Sequence, residues 1–292
     1  MQKKIIGLAA AGAFLAPFAA FAEDAAPASP LSFNVGVVSD YLFRGVSQTH
    51  GAPALQGGVD YAFSNGFYLG AWASTITWVK DGYSKGTTEV DVYGGYKNTF
   101  AGGDWTYDIG YITYNYPGHG NNIANNSAGS NPNTQEIYGG LGYKWLSAKY
   151  SHTTSSHFIG WTGADSAGVY NQKTRGSNYL ELNANYDLGN GWTLIGHVGQ
   201  QKVKGFRAVA GVNENADYTD WKIGASKDVG FGVVTLTYSD TDTKGTCASS
   251  TVAGTNAYCW GNSGAVNGVN GATSGFRDVS KGTAVLSFTK TF

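Results

Sequence analysis

Charge is scarce in this chain of 292 residues: Asp, Glu, Lys and Arg together make up 13%, prolines number 6, cysteines 2, and Met1 is the single methionine. With no proline-rich or charge-rich stretch to act as a linker, the chain reads as one domain after its leader. The shortage of methionine and of charged helix formers argues against a helical protein. Two cysteines are too few for a disulfide scaffold, and with no His, Asp or Glu flanking them at metal-ligand spacing they do not make a metal centre. No basic surplus exists to meet a nucleic acid, because 19 Lys and Arg less Lys3 and Lys4 of the leader leave 17 against 20 acids, a mature formal charge of −3.

What the chain does have is 43 glycines, 19 tyrosines and 14% aromatic residues, a β composition. The leader has Lys3 and Lys4, a mostly apolar run from Ile5 to Ala20 interrupted by Pro17, and small residues at Ala20 and Ala22. That pattern predicts a cleaved secretory signal peptide over 1–22, followed by a short tether over 23–31 and a single domain over 32–292. No cysteine lies near the cut, so a lipid anchor on a new N-terminal cysteine is excluded. Export makes a disulfide between Cys247 and Cys259, twelve positions apart in a Gly, Ser and Asn-rich segment, the expected state of the thiols.

Period-two alternation runs through the domain. In 32–44, Phe33, Val35, Val37, Tyr41 and Phe43 share one face, while Asn34, Gly36, Asp40 and Arg44 share the other. The same pattern predicts strands over 55–63, 67–74, 88–97, 105–114, 136–145, 147–153, 179–186, 192–200, 218–227, 233–239 and 282–292. Alternation alone does not separate a soluble sandwich from a membrane barrel. The connections do. They alternate between long polar loops and tight turns around the whole chain, and twelve strands leave both chain ends on the tight-turn side. Short turns at one end, long loops at the other and an even strand count are the marks of a transmembrane antiparallel β-barrel with short periplasmic turns and long external loops. Aromatics gather beside the tight turns, among them Phe63, Phe67, Tyr96, Trp105, Tyr143, Trp145, Tyr186, Trp192 and Phe231, as an interfacial girdle requires. The last strand ends on Phe292, in phase with Phe288, Leu286 and Ala284.

The stretches Ser39-Asp40-Tyr41-Leu42-Phe43-Arg44-Gly45-Val46-Ser47-Gln48-Thr49, Gln56-Gly57-Gly58-Val59-Asp60-Tyr61, Tyr114-Asn115-Tyr116-Pro117-Gly118 and the terminal Lys290-Thr291-Phe292 resemble the TorF-type porin family of proteobacteria. The resemblance covers most of the mature chain. It implies an outer-membrane β-barrel in contact with membrane lipid. It names no solute. The terminal aromatic strand resembles the signature of outer-membrane barrels, which implies delivery by the barrel assembly machinery through Phe292, although Lys290 stands where that signature has an apolar residue.

Residues in the inward phase are the candidate site. They include Asp40, Asp60, Glu89, Asp91, Asp108, Glu136, Glu181 and Asp220 as acids and Arg44, Lys97, Lys144, Lys149 and Lys222 as bases, with Asp40, Arg44, Asp60, Glu89, Asp91 and Asp220 the ones expected to govern the lumen. No basic ladder suited to acidic sugars or phosphate appears. The mixture predicts charges paired across a lumen that is weakly selective, with at most a slight cation preference. Inward glycines, Gly36, Gly58, Gly70, Gly95, Gly110 and Gly199 among them, are expected to leave space. None of the five histidines has a serine two positions later, the barrel-lipase arrangement, and the rim acids do not group as in barrel proteases. No catalytic residue, metal or cofactor is therefore expected. Two readings remain open: a passive channel for small hydrophilic solutes, and a structural or adhesive barrel that acts through its external loops.

Overall fold

A computed structural model of the chain describes residues 29–83, 85–119, 131–164, 170–205, 216–247, 255–261 and 276–292. The expected signal peptide and the tether up to residue 28 lie outside these residues.

Twelve strands close into one antiparallel barrel. In chain order they are β1 (Leu31–Val38), β2 (Ala54–Ala62), β3 (Phe67–Thr75), β4 (Thr88–Phe100), β5 (Trp105–Asn115), β6 (Thr134–Tyr143), β7 (Leu146–Thr153), β8 (Asn178–Gly189), β9 (Trp192–Lys202), β10 (Tyr218–Asp228), β11 (Val233–Thr241) and β12 (Thr283–Thr291). Each strand pairs with its neighbours in sequence. The sheet closes where β12 meets β1, with Asn34 opposite Thr291 and Val38 opposite Ser287. Closure leaves no unpaired edge, which is the condition for a sheet to sit in hydrocarbon.

Side-chain alternation gives this wall two opposite surfaces. Outward residues are large, apolar and accessible, Ile109 at 64% and Ile223 at 61%, whereas the inward Glu136 and Asp220 are almost wholly covered. A water-soluble protein distributes them the other way round. The fold is that of a transmembrane antiparallel β-barrel, as the loop pattern predicts. Turn-end aromatics pack in pairs across neighbouring strands, Phe67 with Tyr96, Trp145 with Tyr186 and Phe231 with Phe288, their ring centroids 5.1, 5.6 and 5.8 Å apart. The tight turns between β6 and β7 and between β8 and β9 use residues with positive φ, Lys144 at 53° and Asn190 at 52°.

Strand ends differ slightly from the expected ones throughout, and three of the differences change the architecture. β4 continues to Phe100, so the link to β5 shrinks to the turn at Ala101–Gly103. The segment after β3 contains a short helix, α1 (Trp78–Tyr83). The largest correction concerns the first strand, which stops at Val38. Residues 39–53 leave the wall and fold into the barrel, so Tyr41 and Phe43, expected to face outward with Phe33 and Val35, are 1% and 7% exposed inside it. They pack with Val38, Val46, Ile76, Trp78, Tyr116 and Phe158 in an apolar core at the loop end of the barrel.

Candidate functional site: a hairpin across the barrel interior

The inserted segment is organised by a two-residue turn. Arg44 and Gly45 both have positive φ, 50° and 79°, the requirement of the tight hairpin turn whose twist suits antiparallel strands. They join Leu42–Phe43 to Val46–Ser47, with Phe43 opposite Val46. Asp40 fastens the base of the hairpin by accepting hydrogen bonds from the Ser47 hydroxyl at 2.6 Å and the Thr49 hydroxyl at 2.9 Å. Burial pushes the Asp40 carboxyl above its ordinary pKa, against the opposing pull of those hydroxyls. At the far end of the segment, His50 Nδ1 lies 3.0 Å from Asp81 of α1 and 3.1 Å from Thr77 Oγ1, and the Arg277 guanidinium donates to the His50 carbonyl.

The hairpin starts between β1 and β2 and its tip reaches the opposite wall. Arg44 Nη2 lies 2.7 Å from Glu136 Oε2 on β6, and Nη1 donates to Glu136 Oε1 at 3.2 Å and to Gln201 Oε1 on β9 at 2.8 Å. Its guanidinium carbon stands 4.4 Å from the ring centre of Tyr179 on β8. The Tyr218 hydroxyl on β10 donates to the Arg44 carbonyl at 2.8 Å. A forked pair of charge-assisted bonds and a stacked ring suit guanidinium and would not suit an ammonium. Gly45 rests against Asp220 and Thr241 with no room for a side chain. Tyr41 reaches sideways, its hydroxyl 3.4 Å from Glu89 Oε1 on β4 and its ring edge-on to Trp72 at 5.5 Å.

Between the hairpin and the wall lies a cavity of about 80 Å³, bordered by Asp40, Arg44, Glu181, His197, Asp220 and Lys222. That is space for a few waters. Its wall is a continuous polar network. Tyr179 donates to Asp220 at 2.8 Å, His197 Nε2 lies 3.0 Å from Asp220, His197 Nδ1 lies 2.6 Å from Asn183 Oδ1, and Lys149 pairs with Glu181 at 2.9 Å. Nearer the turn end, tyrosines lie across the interior face. Tyr93 donates to Asp60 at 2.6 Å, Tyr68 donates to Asp108 at 2.7 Å, and the Tyr68 and Tyr138 hydroxyls meet.

The inward glycines have a different purpose from the one expected. A methyl group on Gly70 would overlap the ring of Tyr93, which crosses it to reach Asp60, and one on Gly110 would overlap Tyr138. Gly95 and Gly199 stand in the same relation to Tyr68 and Tyr179. These glycines make room for tyrosine rings lying on the wall and not for an open bore.

Of the six residues singled out from the sequence, Asp40, Arg44 and Asp220 come together around the cavity. Glu89 and Asp91 are buried in the wall beneath Tyr41, and Asp60 belongs to the tyrosine layer. Asp40 and Arg44 sit on the hairpin, and not on the wall as an uninterrupted strand would have placed them. Lys144, expected inside, lies in the turn after β6 and is 3.7 Å from Asp104, with both side chains about half exposed. Gln201, Tyr179, His197 and Tyr41 were not singled out. Tyr179, His197 and Gln201 share inward phase with Glu181 or Gly199, whereas nothing in the local pattern points Tyr41 inward. Cys247 and Cys259 form the expected disulfide, with Cα atoms 5.4 Å apart.

Among solved structures, the chain is similar to the KdgM porin, at 9% identity over 89% of this chain and 99% of that one, with a TM-score of 0.47. It is also similar to OprD of Pseudomonas aeruginosa, at 10% identity over 91% of this chain and 68% of that one, with a TM-score of 0.40. No curated protein matches the sequence. A family model matches residues 22–264, most of the barrel, and the chain belongs to that family, the Gcw_chp bacterial proteins of unknown function.

Proposed function

We propose that the protein is an outer-membrane channel through which small hydrophilic solutes diffuse, narrowed by the hairpin that Arg44 ties to the far wall. The observation that carries this reading is the contrast between the two faces of one sheet: lipid-compatible outside, and inside a connected set of charged and hydroxyl groups around a water-sized cavity. The leader over 1–22 directs export, a short tether follows, and the barrel begins with β1 at Leu31, with its tight turns in the periplasm and Phe292 read by the assembly machinery. The resemblance to TorF-type porins supports the same address.

Passage is by diffusion past paired charges. Arg44 pairs with Glu136 and Lys149 with Glu181, so selectivity is weak, with a slight cation preference governed by Asp40, Asp60 and Asp220. The test is conductance of the purified protein in planar bilayers, with reversal potentials under a salt gradient. Small, ohmic, weakly cation-selective steps are expected. A second reading, a structural barrel acting through its loops, draws on the apolar packing of Phe43, Trp78, Tyr116 and Phe158, which closes the loop end. Absence of conductance both in the intact protein and in a variant with 40–49 replaced by a short glycine-serine link would decide for that reading.

A further inference from the structure

Nearly every acid inside the barrel has a partner. Glu136 has Arg44, Glu181 has Lys149, Asp220 has Tyr179 and His197, Asp60 has Tyr93, and Asp108 has Tyr68. Asp91 is the exception, and Glu89 beside it has only the distant Tyr41 hydroxyl at 3.4 Å. They lie two residues apart on the inward face of β4, so their side chains leave the strand in the same direction, about 7 Å apart at their origins. Glu89 is 1% and Asp91 0% exposed. Both oxygens of Asp91 and the Oε2 of Glu89 have no hydrogen-bond partner. Neither residue takes part in an ion pair among the described residues.

Among the described residues, their neighbours offer rings and hydroxyls and no cation. Across the sheet, Ser74 is opposite Glu89, and Trp72 and Tyr114 are opposite Asp91 on its two sides. Tyr41, from the hairpin, covers Glu89. Two adjacent carboxylates cannot both stay ionised in a protein interior on a single long hydroxyl contact and no countercharge. Something of opposite charge has to be there when they ionise.

We propose that Glu89 and Asp91 bind a divalent cation, of which calcium is the type, enclosed between β4 and the inserted hairpin. The charge balances, two carboxylates against one dication. All the available ligands are oxygens, which selects a hard cation. Calcium accepts irregular oxygen sets, whereas magnesium demands near-octahedral geometry and keeps its waters, for which this covered site has little place. Among the described residues no group of three or more acidic, histidine or cysteine side chains converges, so two carboxylates carry the site and its affinity belongs at the weak end for calcium, with Kd about 10⁻⁴ to 10⁻³ M. Because the Tyr41 hydroxyl approaches Glu89 from the hairpin, the ion also joins the hairpin to the wall on the side away from Arg44.

The experiment uses the full-length barrel folded in detergent and freed of metal with EDTA. Radiocalcium binding in equilibrium dialysis is expected to saturate at one ion per barrel, and terbium, standing in for calcium, is expected to give luminescence sensitised through Trp72 that calcium displaces. Calcium is expected to raise the thermal unfolding temperature. In Glu89→Gln/Asp91→Asn, and in the milder Asp91→Asn alone, binding and the calcium shift are lost, while the unfolding temperature in EDTA is at or above that of the parent because the amides bring no charge. Absence of radiocalcium binding by the parent protein overturns the proposal, and so does binding that survives undiminished in the folded Asp91→Asn variant. A parent that binds no metal and is stabilised by acid to the level of the double variant would show instead that the two carboxyls share a proton.

Discussion

Arg44 Nη2 and Glu136 Oε2 lie 2.7 Å apart although 92 positions separate them in sequence, and both side chains are nearly inaccessible, at 6% and 0%. This pair fixes the tip of a hairpin rooted between β1 and β2 to the wall on the other side of the barrel. The width of the interior therefore depends on a contact within it as well as on strand number.

Arg44→Ala leaves Glu136 buried without its countercharge. Breaking one side of such a pair costs about 3 to 5 kcal/mol. The expected outcome is a lower unfolding temperature and, in planar bilayers, larger and noisier conductance steps as the hairpin tip comes free. Glu136→Gln, which keeps an acceptor for the guanidinium, should lose less stability than Arg44→Ala. Equal conductance in the parent and Arg44→Ala would show that the hairpin tip does not limit passage.

Gly70→Ala puts a methyl group where the Tyr93 ring lies. Overpacking of this kind costs about 1 to 3 kcal/mol, and the folded fraction seen by heat-modifiable gel migration should fall. Removing the ring in Gly70→Ala/Tyr93→Ala should restore part of that fraction. Failure of the second change to help would mean that Gly70 is needed for its backbone alone.

The Cys247 to Cys259 disulfide closes a segment beyond the strands. In the chain-entropy account a loop of this size gains about 3 kcal/mol. Replacing both cysteines by serine should leave the barrel folded and heat-modifiable while making the 242–282 segment more sensitive to protease. Limited proteolysis of the folded barrel, read by mass, separates the two effects.

Acid should loosen one root of the hairpin. Burial lowers the His50 pKa, an effect opposed by Asp81 at 3.0 Å and reinforced by the Arg277 charge, while Asp40 acts with Asp81. A group with a depressed folded pKa contributes stability above its unfolded value, about 6.5 for histidine, and that stability is lost as pH falls through the folded value. Asp40 works in the opposite sense: its raised folded pKa favours the segment in acid, and that contribution is lost as pH rises through the raised value. His50→Gln separates the two. Hydrogen exchange of the 40–52 backbone, corrected for intrinsic rate, should speed up between pH 7 and pH 5 in the parent and not in His50→Gln.

The sequence by itself determined the barrel: strand number, inward and outward faces, the end that carries the loops, and the cysteine pair. These follow from local physics, since period-two alternation sets the faces of a strand and short glycine-rich turns set its partner. Only the tertiary structure decided what fills the interior. Tyr41 and Phe43 stand in the same phase as Phe33, Val35 and Val37, so the alternation runs on through 39–44 although the strand has ended at Val38. The one local sign was Arg44-Gly45, a pair able to adopt the positive φ of a hairpin turn, and it says nothing about where the hairpin goes. Its destination depends on Glu136, Gln201 and Tyr179, from three strands that become neighbours of Arg44 only once the barrel has closed. For the same reason Gly70 and Gly110 read as empty space in sequence and turn out to be seats for tyrosine rings, because the ring that occupies each belongs to an adjacent strand.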